Sequence, residues 1–304
     1  MQNLLIFGIF GLVAQLVDGA LGMSYGVTST TLLLSAGAAP AVASATVHMA
    51  EIGTTLASGT AHWKFGNVDW RTVSWMALPG ATGAFVGAVV LSSLSAEVAK
   101  PWVATILFLL GLYILIRFLR PRRVVAPDAR KRRLPAIFLV PLGAVGGTVD
   151  AMGGGGWGPI GTPALLASGR LEPRKVVGSI DTSEFVVAIG ASAGFLLSLG
   201  SQQINTGWLG ALLVGGLIAA PLAAWLVRIL PARVLGAAVG GLILVTNTKT
   251  FGDSIGVSTG VLTGAYVLLV SVWVFSIVGA VRTHRRETAD GDGDGDGRAV
   301  PQPA

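Results

Sequence analysis

Apolar residues run along this chain in long continuous stretches, without the alternation of a half-buried strand, so the elements they predict are helices. Crossing a hydrocarbon core of roughly 30 Å takes about 20 helical residues. Residues 41–60, 72–94, 101–119, 176–199, 208–229, 232–246 and 257–281 read as spans on that measure. Two regions differ. Residues 4–17 and 28–35 are apolar but short, with Asp18-Gly-Ala-Leu-Gly-Met-Ser-Tyr-Gly26 between them. Residues 134–149 and 160–167 are also short, with Asp150-Ala-Met-Gly-Gly-Gly-Gly-Trp-Gly158 between them. Each region predicts two helices joined by a glycine-rich break at membrane depth.

The two regions repeat one another. An offset of 132 superposes Gly11, Val13, Val17, Asp18, Gly22, Gly26, Thr30, Leu33 and Leu34 on Gly143, Val145, Val149, Asp150, Gly154, Gly158, Thr162, Leu165 and Leu166. After one inserted residue, Pro40 meets Pro173 and Glu51 meets Glu184. Composition bias alone gives far fewer identities, so the chain reads as two homologous halves. The expected organisation is a first repeat over 1–120, a basic loop over 121–133, a second repeat over 134–250, a final span within 251–281 and a solvated, disordered tail over 282–304.

Charge orients the halves. Eight of the 21 Lys and Arg lie between Arg117 and Arg133. If each broken region is a re-entrant hairpin and this loop is cytoplasmic, only Lys100 and Lys249 of the 21 fall outside. If each region crosses instead, the basic residues divide almost evenly. The positive-inside rule selects the hairpins. Each half then crosses an odd number of times, which predicts inverted repeats, a plan common in secondary transporters. The expected fold is an all-α polytopic membrane protein, each repeat a re-entrant hairpin plus three transmembrane helices, with one extra C-terminal helix.

Only 12% of residues are charged and 52% are hydrophobic, against roughly 25% charged in soluble domains. That excludes an ordinary soluble enzyme, and it turns the net charge of +6 from a nucleic-acid signal into a topological one. Cysteine is absent and histidine occurs three times, so no thiol chemistry, metal centre or cofactor is expected. The first apolar stretch has no basic start, which argues against a cleavable signal peptide. Gly153–Gly156 lacks the Lys and Ser/Thr of a P-loop, and no nucleophile–base arrangement suggests catalysis.

Irregular backbone inside a membrane must line a cavity or be buried in protein. Two facing breaks would enclose such a cavity, with short helices beginning near Val27 and Ile160 aiming free N–H groups into it. Those termini attract anions. Candidate substrate contacts are Gly22, Ser24, Tyr25, Thr28 and Thr30, then Gly154, Gly155, Gly156, Trp157 and Thr162, with Ser29 a further hydroxyl. Ionisable residues within spans are functional suspects. Asp18 and Asp150 either accept hydrogen bonds from backbone bared at the breaks or couple transport to ions. Glu51 and Glu184 occupy matched positions one helical turn after His48 and Asp181. Each pair shares a helix face and forms either a proton relay or a satisfied polar contact. Lys249 reads as a snorkelling span end, and the His62–Trp70 loop, with Trp63, Lys64, Asn67 and Asp69, as a membrane interface.

Together these segments resemble the TauE/SafE sulfite exporter family of permeases. The resemblance rests on Asp18 to Gly26, His48 to Thr60, His62-Trp-Lys-Phe-Gly-Asn-Val-Asp-Trp70, Gly153-Gly-Gly-Gly-Trp-Gly-Pro-Ile-Gly-Thr-Pro163 and Val177-Gly-Ser. It implies a permease of the cytoplasmic membrane for small anions: sulfite, sulfonates or related sulfur and organic acids. The expectation is a secondary transporter exporting such an anion by alternating access, with proton or sodium as coupling ion and the basic loop and C-terminus cytoplasmic. The alternatives are an importer of the same anions, a membrane-embedded enzyme or a non-transporting subunit; homo-oligomers are compatible with the sequence.

Overall fold

A computed structural model describes residues 2–21, 23–119, 133–168, 170–226, 232–254 and 256–293. Among the described residues the longer elements are all helical: α1 (Gln2–Leu21), α2 (Tyr25–Ser35), α3 (Pro40–Lys64), α4 (Trp70–Ser93), α5 (Ala96–Leu119), α6 (Ala136–Gly153), α7 (Trp157–Ala167), α8 (Pro173–Leu199), α9 (Thr206–Leu226), α10 (Ala232–Ser254) and α11 (Thr259–Gly293). Local chemistry sets several ends. Pro40 and Pro173 open α3 and α8 where a missing N–H costs nothing. Asp69 caps α4 by accepting from the Thr72 N–H at 2.8 Å. Gly66 and Gly200, with φ of 68° and 73°, follow the ends of α3 and α8.

The packing exchanges the two halves. α1 lies along α9, and its counterpart α6 lies along α4; α3 meets α8 and α5 meets α10. Under the repeat offset these pairs map onto one another or onto themselves. Equivalent glycines permit the equivalent crossings. A methyl on Gly11 would sit 2.5 Å from the Leu212 carbonyl oxygen, and one on Gly143 2.6 Å from that of Met76. Lipid tails are as apolar as side chains, so close approach at small residues supplies the association.

The two broken regions fold back as hairpins. Arg170, after α7, donates to the carbonyl of Arg133, before α6, at 3.3 Å, so this hairpin starts and ends together. The start of α8 lies there too, against the α3–α4 turn: the Asp69 N–H donates to Ser179 Oγ at 2.8 Å. The other hairpin opens near the start of α9, where Phe7 of α1, Ala38 after α2 and Trp208 share one apolar cluster. The rings of Phe7 and Trp208 are 5.1 Å apart.

Five described helices are long and apolar enough to cross a membrane: Trp70–Ser93, Ala96–Arg117, Ala136–Gly153, Arg174–Leu199 and Thr259–Thr283. Thus α6, read from the sequence as half of a hairpin, has span length by itself. The expected span over 41–60 appears as α3 but is not among the five, because it carries His48, Glu51 and a series of serines and threonines. Two ends run beyond expectation. α10 continues past Thr246, since the Thr246 and Thr248 hydroxyls donate back to Leu242 and Leu244 carbonyls at 2.7 and 2.6 Å. α11 continues to Gly293, past the boundary at 282 set for a disordered tail; Arg285, Arg286, Glu287 and Ala289 are good helix formers. The tail beyond Gly293, the loop over 120–132 and the Lys249 side chain lie outside the described residues.

Candidate functional site

Both breaks are organised by the aspartate that precedes them. Asp18 Oδ1 accepts from the Tyr25 N–H at 3.1 Å, the first amide of α2. Asp150 Oδ1 accepts from the N–H groups of Gly156 and Trp157 at 2.6 and 3.0 Å, where α7 begins. Each carboxylate satisfies donors that a helix start leaves orphaned. This is also why α2 and α7 start at Tyr25 and Trp157, slightly before Val27 and Ile160. Gly154 and Gly155 supply φ of 69° and 148°, a region that side chains disfavour. In the first break a comparable φ of 149° falls on Ser24. Gly22 lies outside the described residues.

The breaks meet each other, as the repeat implies, and among the described residues the backbone of one lies against the backbone of the other. A methyl on Gly26 would lie 2.6 Å from the Gly155 Cα, and Thr30 Oγ1 donates to the Gly154 carbonyl at 2.6 Å. The expectation that the helix starts leave their amides free is not met at Tyr25, Gly156 and Trp157. The terminal amides named above are held by Asp18 and Asp150, and glycine on both sides lets backbone touch backbone. Ser24, Thr28 and Ser29, at the start of α2, are buried, and their hydroxyls have no hydrogen-bond partner among the described residues.

The ionisable residues cross between halves. Asp150 of α6 reaches α3: its Oδ2 lies 3.1 Å from His48 Nε2, which is 4.0 Å from Glu51 Oε2. Asp18 of α1 reaches α8: its carboxylate and those of Asp181 and Glu184 place oxygens within 4.8 Å of one another. His48 and Glu51 are the repeat counterparts of Asp181 and Glu184. Each break's aspartate thus joins the polar pair carried by the other half. His48 Nδ1 faces the Ser44 carbonyl at 2.8 Å, and a carbonyl only accepts, so Nδ1 carries hydrogen. Nε2 then faces Asp150 Oδ2 at hydrogen-bond distance. The buried ring lies 6.0 Å from that of Phe195. Among the described residues neither oxygen of buried Glu51 has a hydrogen-bond partner. Asp181 accepts from Ser58 Oγ at 2.8 Å. The three-carboxylate group is the one place among the described residues where a small cation would find several oxygen ligands, a grouping the sequence reading did not foresee.

Several predicted contacts have structural partners. The Trp157 indole, 1% exposed, donates to the Ile180 carbonyl at 3.1 Å and fills space beside Gly80 and Gly146. It belongs to the core, because only glycine neighbours leave room for a buried indole. The Tyr25 hydroxyl donates to the Leu212 carbonyl at 3.2 Å. Thr162 is buried in α7. Sequence reasoning missed three residues. Ser44 donates to the Ala151 carbonyl at 2.6 Å and lies beneath His48. Ser58 holds Asp181. Asn247, 3% exposed, donates to Thr31 Oγ1 at 3.0 Å. Spacing was the available signal for two of them: Ser44, His48, Glu51, Thr55 and Ser58 recur at helical intervals on one face of α3.

Residues 7–250 match the family model described as Sulfite exporter TauE/SafE. The chain is 49% identical over 280 residues to a protein of Bacillus subtilis (strain 168) described as "Probable membrane transporter protein YtnM", covering 91% of this chain and 92% of that one. No solved structure matches. A family match over most of the length, a relative this similar and a bundle of apolar helices agree: this chain belongs to the TauE/SafE sulfite exporter family of membrane transporters.

Proposed function

We propose that the protein is a secondary transporter of the cytoplasmic membrane that moves a small oxyanion, sulfite or a sulfonate, outward by alternating access of two inverted repeats. The carrying observation is the exchange of partners at the breaks, Asp150 with His48 and Glu51, Asp18 with Asp181 and Glu184. Hairpins opening at different ends of α8, with three basic segments gathered beside one of them, support the inverted arrangement and a cytoplasmic basic side.

The same geometry suggests how ions couple. A carboxylate and a substrate oxyanion compete for one set of amides, those of Gly156, Trp157 and Tyr25. A protonated aspartic acid is a weaker acceptor, so protonation frees those N–H groups, and the buried hydroxyls of Ser24, Thr28 and Ser29 at the start of α2 are further candidate donors. His48 and Glu51 are placed to pass the proton to Asp150. On the other side, Asp18, Asp181 and Glu184 require protons or a cation for charge balance, which makes sodium the alternative coupling ion.

Competition of this kind makes proton and anion bind together. That favours one second reading, uptake of the same anions, because an inward proton gradient would then drive them inward. The test is flux in proteoliposomes of sulfite, a sulfonate and a carboxylate under imposed proton, sodium and electrical gradients, with internal pH followed. Anion-dependent proton movement in the direction of the anion is expected. Gradient-independent product formation, or no flux of any anion, overturns the reading.

A further inference from the structure

We propose that the basic face carries a binding site for an anionic phospholipid, formed where the starts of α4 and α6 and the end of α7 converge. A cavity of about 140 Å³ is lined by Arg71, Arg133 and Arg170, with Asp69 and Leu134 among its other walls. No guanidinium of the three is paired with a carboxylate among the described residues. Asp69 is engaged with the Thr72 amide as a helix cap. The amino ends of α4 and α6 add positive potential at the same place.

Beside the cavity, sharing Leu134 and Arg170 with it, lies a largely apolar groove of about 400 Å³ walled also by Phe138, Ala164 and Ala167. A soluble anion has no use for that groove. A lipid does, with its phosphate among the arginines and an acyl chain along the groove. Depth agrees. Trp63 and Trp70, 59% and 54% exposed, meet edge to face at 6.2 Å beside Arg71, where aromatic residues mark the headgroup level. Ile137, 84% exposed, begins the lipid-facing surface of α6 just beyond. Basic pockets between transmembrane helices select anionic headgroups by charge. The site is separate from the buried carboxylates, and its existence does not depend on which solute is carried.

The experiment is native mass spectrometry of the full chain with phosphatidylglycerol, phosphatidylcholine and inorganic phosphate. Phosphatidylglycerol should be retained over phosphatidylcholine by on the order of a hundredfold, from three nearby arginines. The triple variant Arg71→Gln, Arg133→Gln, Arg170→Gln should lose that preference. Ala167→Trp, which fills the groove and keeps the charges, should weaken phosphatidylglycerol by about tenfold or more through lost chain burial. If the triple variant does not fold, Arg133→Gln alone, outside any helix, should cut the preference by about fivefold. Equal retention of the two lipids, an unchanged preference in the arginine variants, or displacement of phosphatidylglycerol by equimolar inorganic phosphate with Ala167→Trp silent, would each overturn the lipid site.

Discussion

Ser24 holds a backbone conformation that the matching break assigns to glycine, and its hydroxyl is buried without a partner. Both features cost stability, so Ser24→Gly should stabilise the folded protein by about 1–2 kcal/mol, read as a raised melting temperature in detergent. Gly155→Ala should do the opposite. Its φ of 148° disfavours a side chain, and the added methyl would collide with Val27 N and the Gly26 carbonyl carbon. A loss above about 4 kcal/mol is expected, seen as little monodisperse protein on size exclusion. Asp150→Asn separates two roles. The amide oxygen still accepts from Gly156 and Trp157, so the fold should survive within about 2 kcal/mol. The carboxylate that faces His48 Nε2 disappears, so on the proposed coupling proton-driven anion flux in liposomes should be abolished. Repetition along the chain exposed these aspartates and both glutamates. It could not reveal that each aspartate serves the other half's helix, because that contact forms only in three dimensions.

The paired helices α1–α9 and α4–α6 depend on backbone contact. A side chain at Gly147 would enter the carbonyl of Gly80, and one at Gly215 the carbonyl of Gly8. Gly147→Leu should therefore separate α6 from α4 and lower the melting temperature sharply, while Tyr25→Phe, losing one hydrogen bond to α9, should cost only about 1 kcal/mol and leave flux intact. The glycine run between apolar stretches made each break legible in the sequence, and the placement of the basic residues favoured a fold-back, although α6 proves long enough to span by itself. The ends of α10 were not legible. A polar run at 246–250 resembles a span terminus, yet its threonines bond back to their own helix and Asn247 bonds across to α2. The close approach at Gly26 and Gly155 was illegible for a related reason: glycine-rich backbone permits a hollow and a tight contact equally, and only packing decides.

Across the molecule, orientation can be tested directly because the chain has no cysteine. Phe65 is 71% exposed in the α3–α4 turn, and Ser201 is exposed between α8 and α9. On intact cells an impermeant maleimide should label Ser201→Cys and spare Phe65→Cys; the reverse pattern would invert the molecule in its membrane. At Gly26 and Gly155 the two halves touch through main chain, with the Thr30 hydroxyl bonded across to the Gly154 carbonyl beside them. On the proposed alternating access, a seam held so largely by backbone cannot open by one side chain swinging aside. Opening in the proposed transport cycle would displace whole helices, so anion flux in proteoliposomes should be paced by rigid-body motion, on the order of microseconds to milliseconds, and should rise steeply with warming. Variants that merely trim side chains around that seam would leave the door shut.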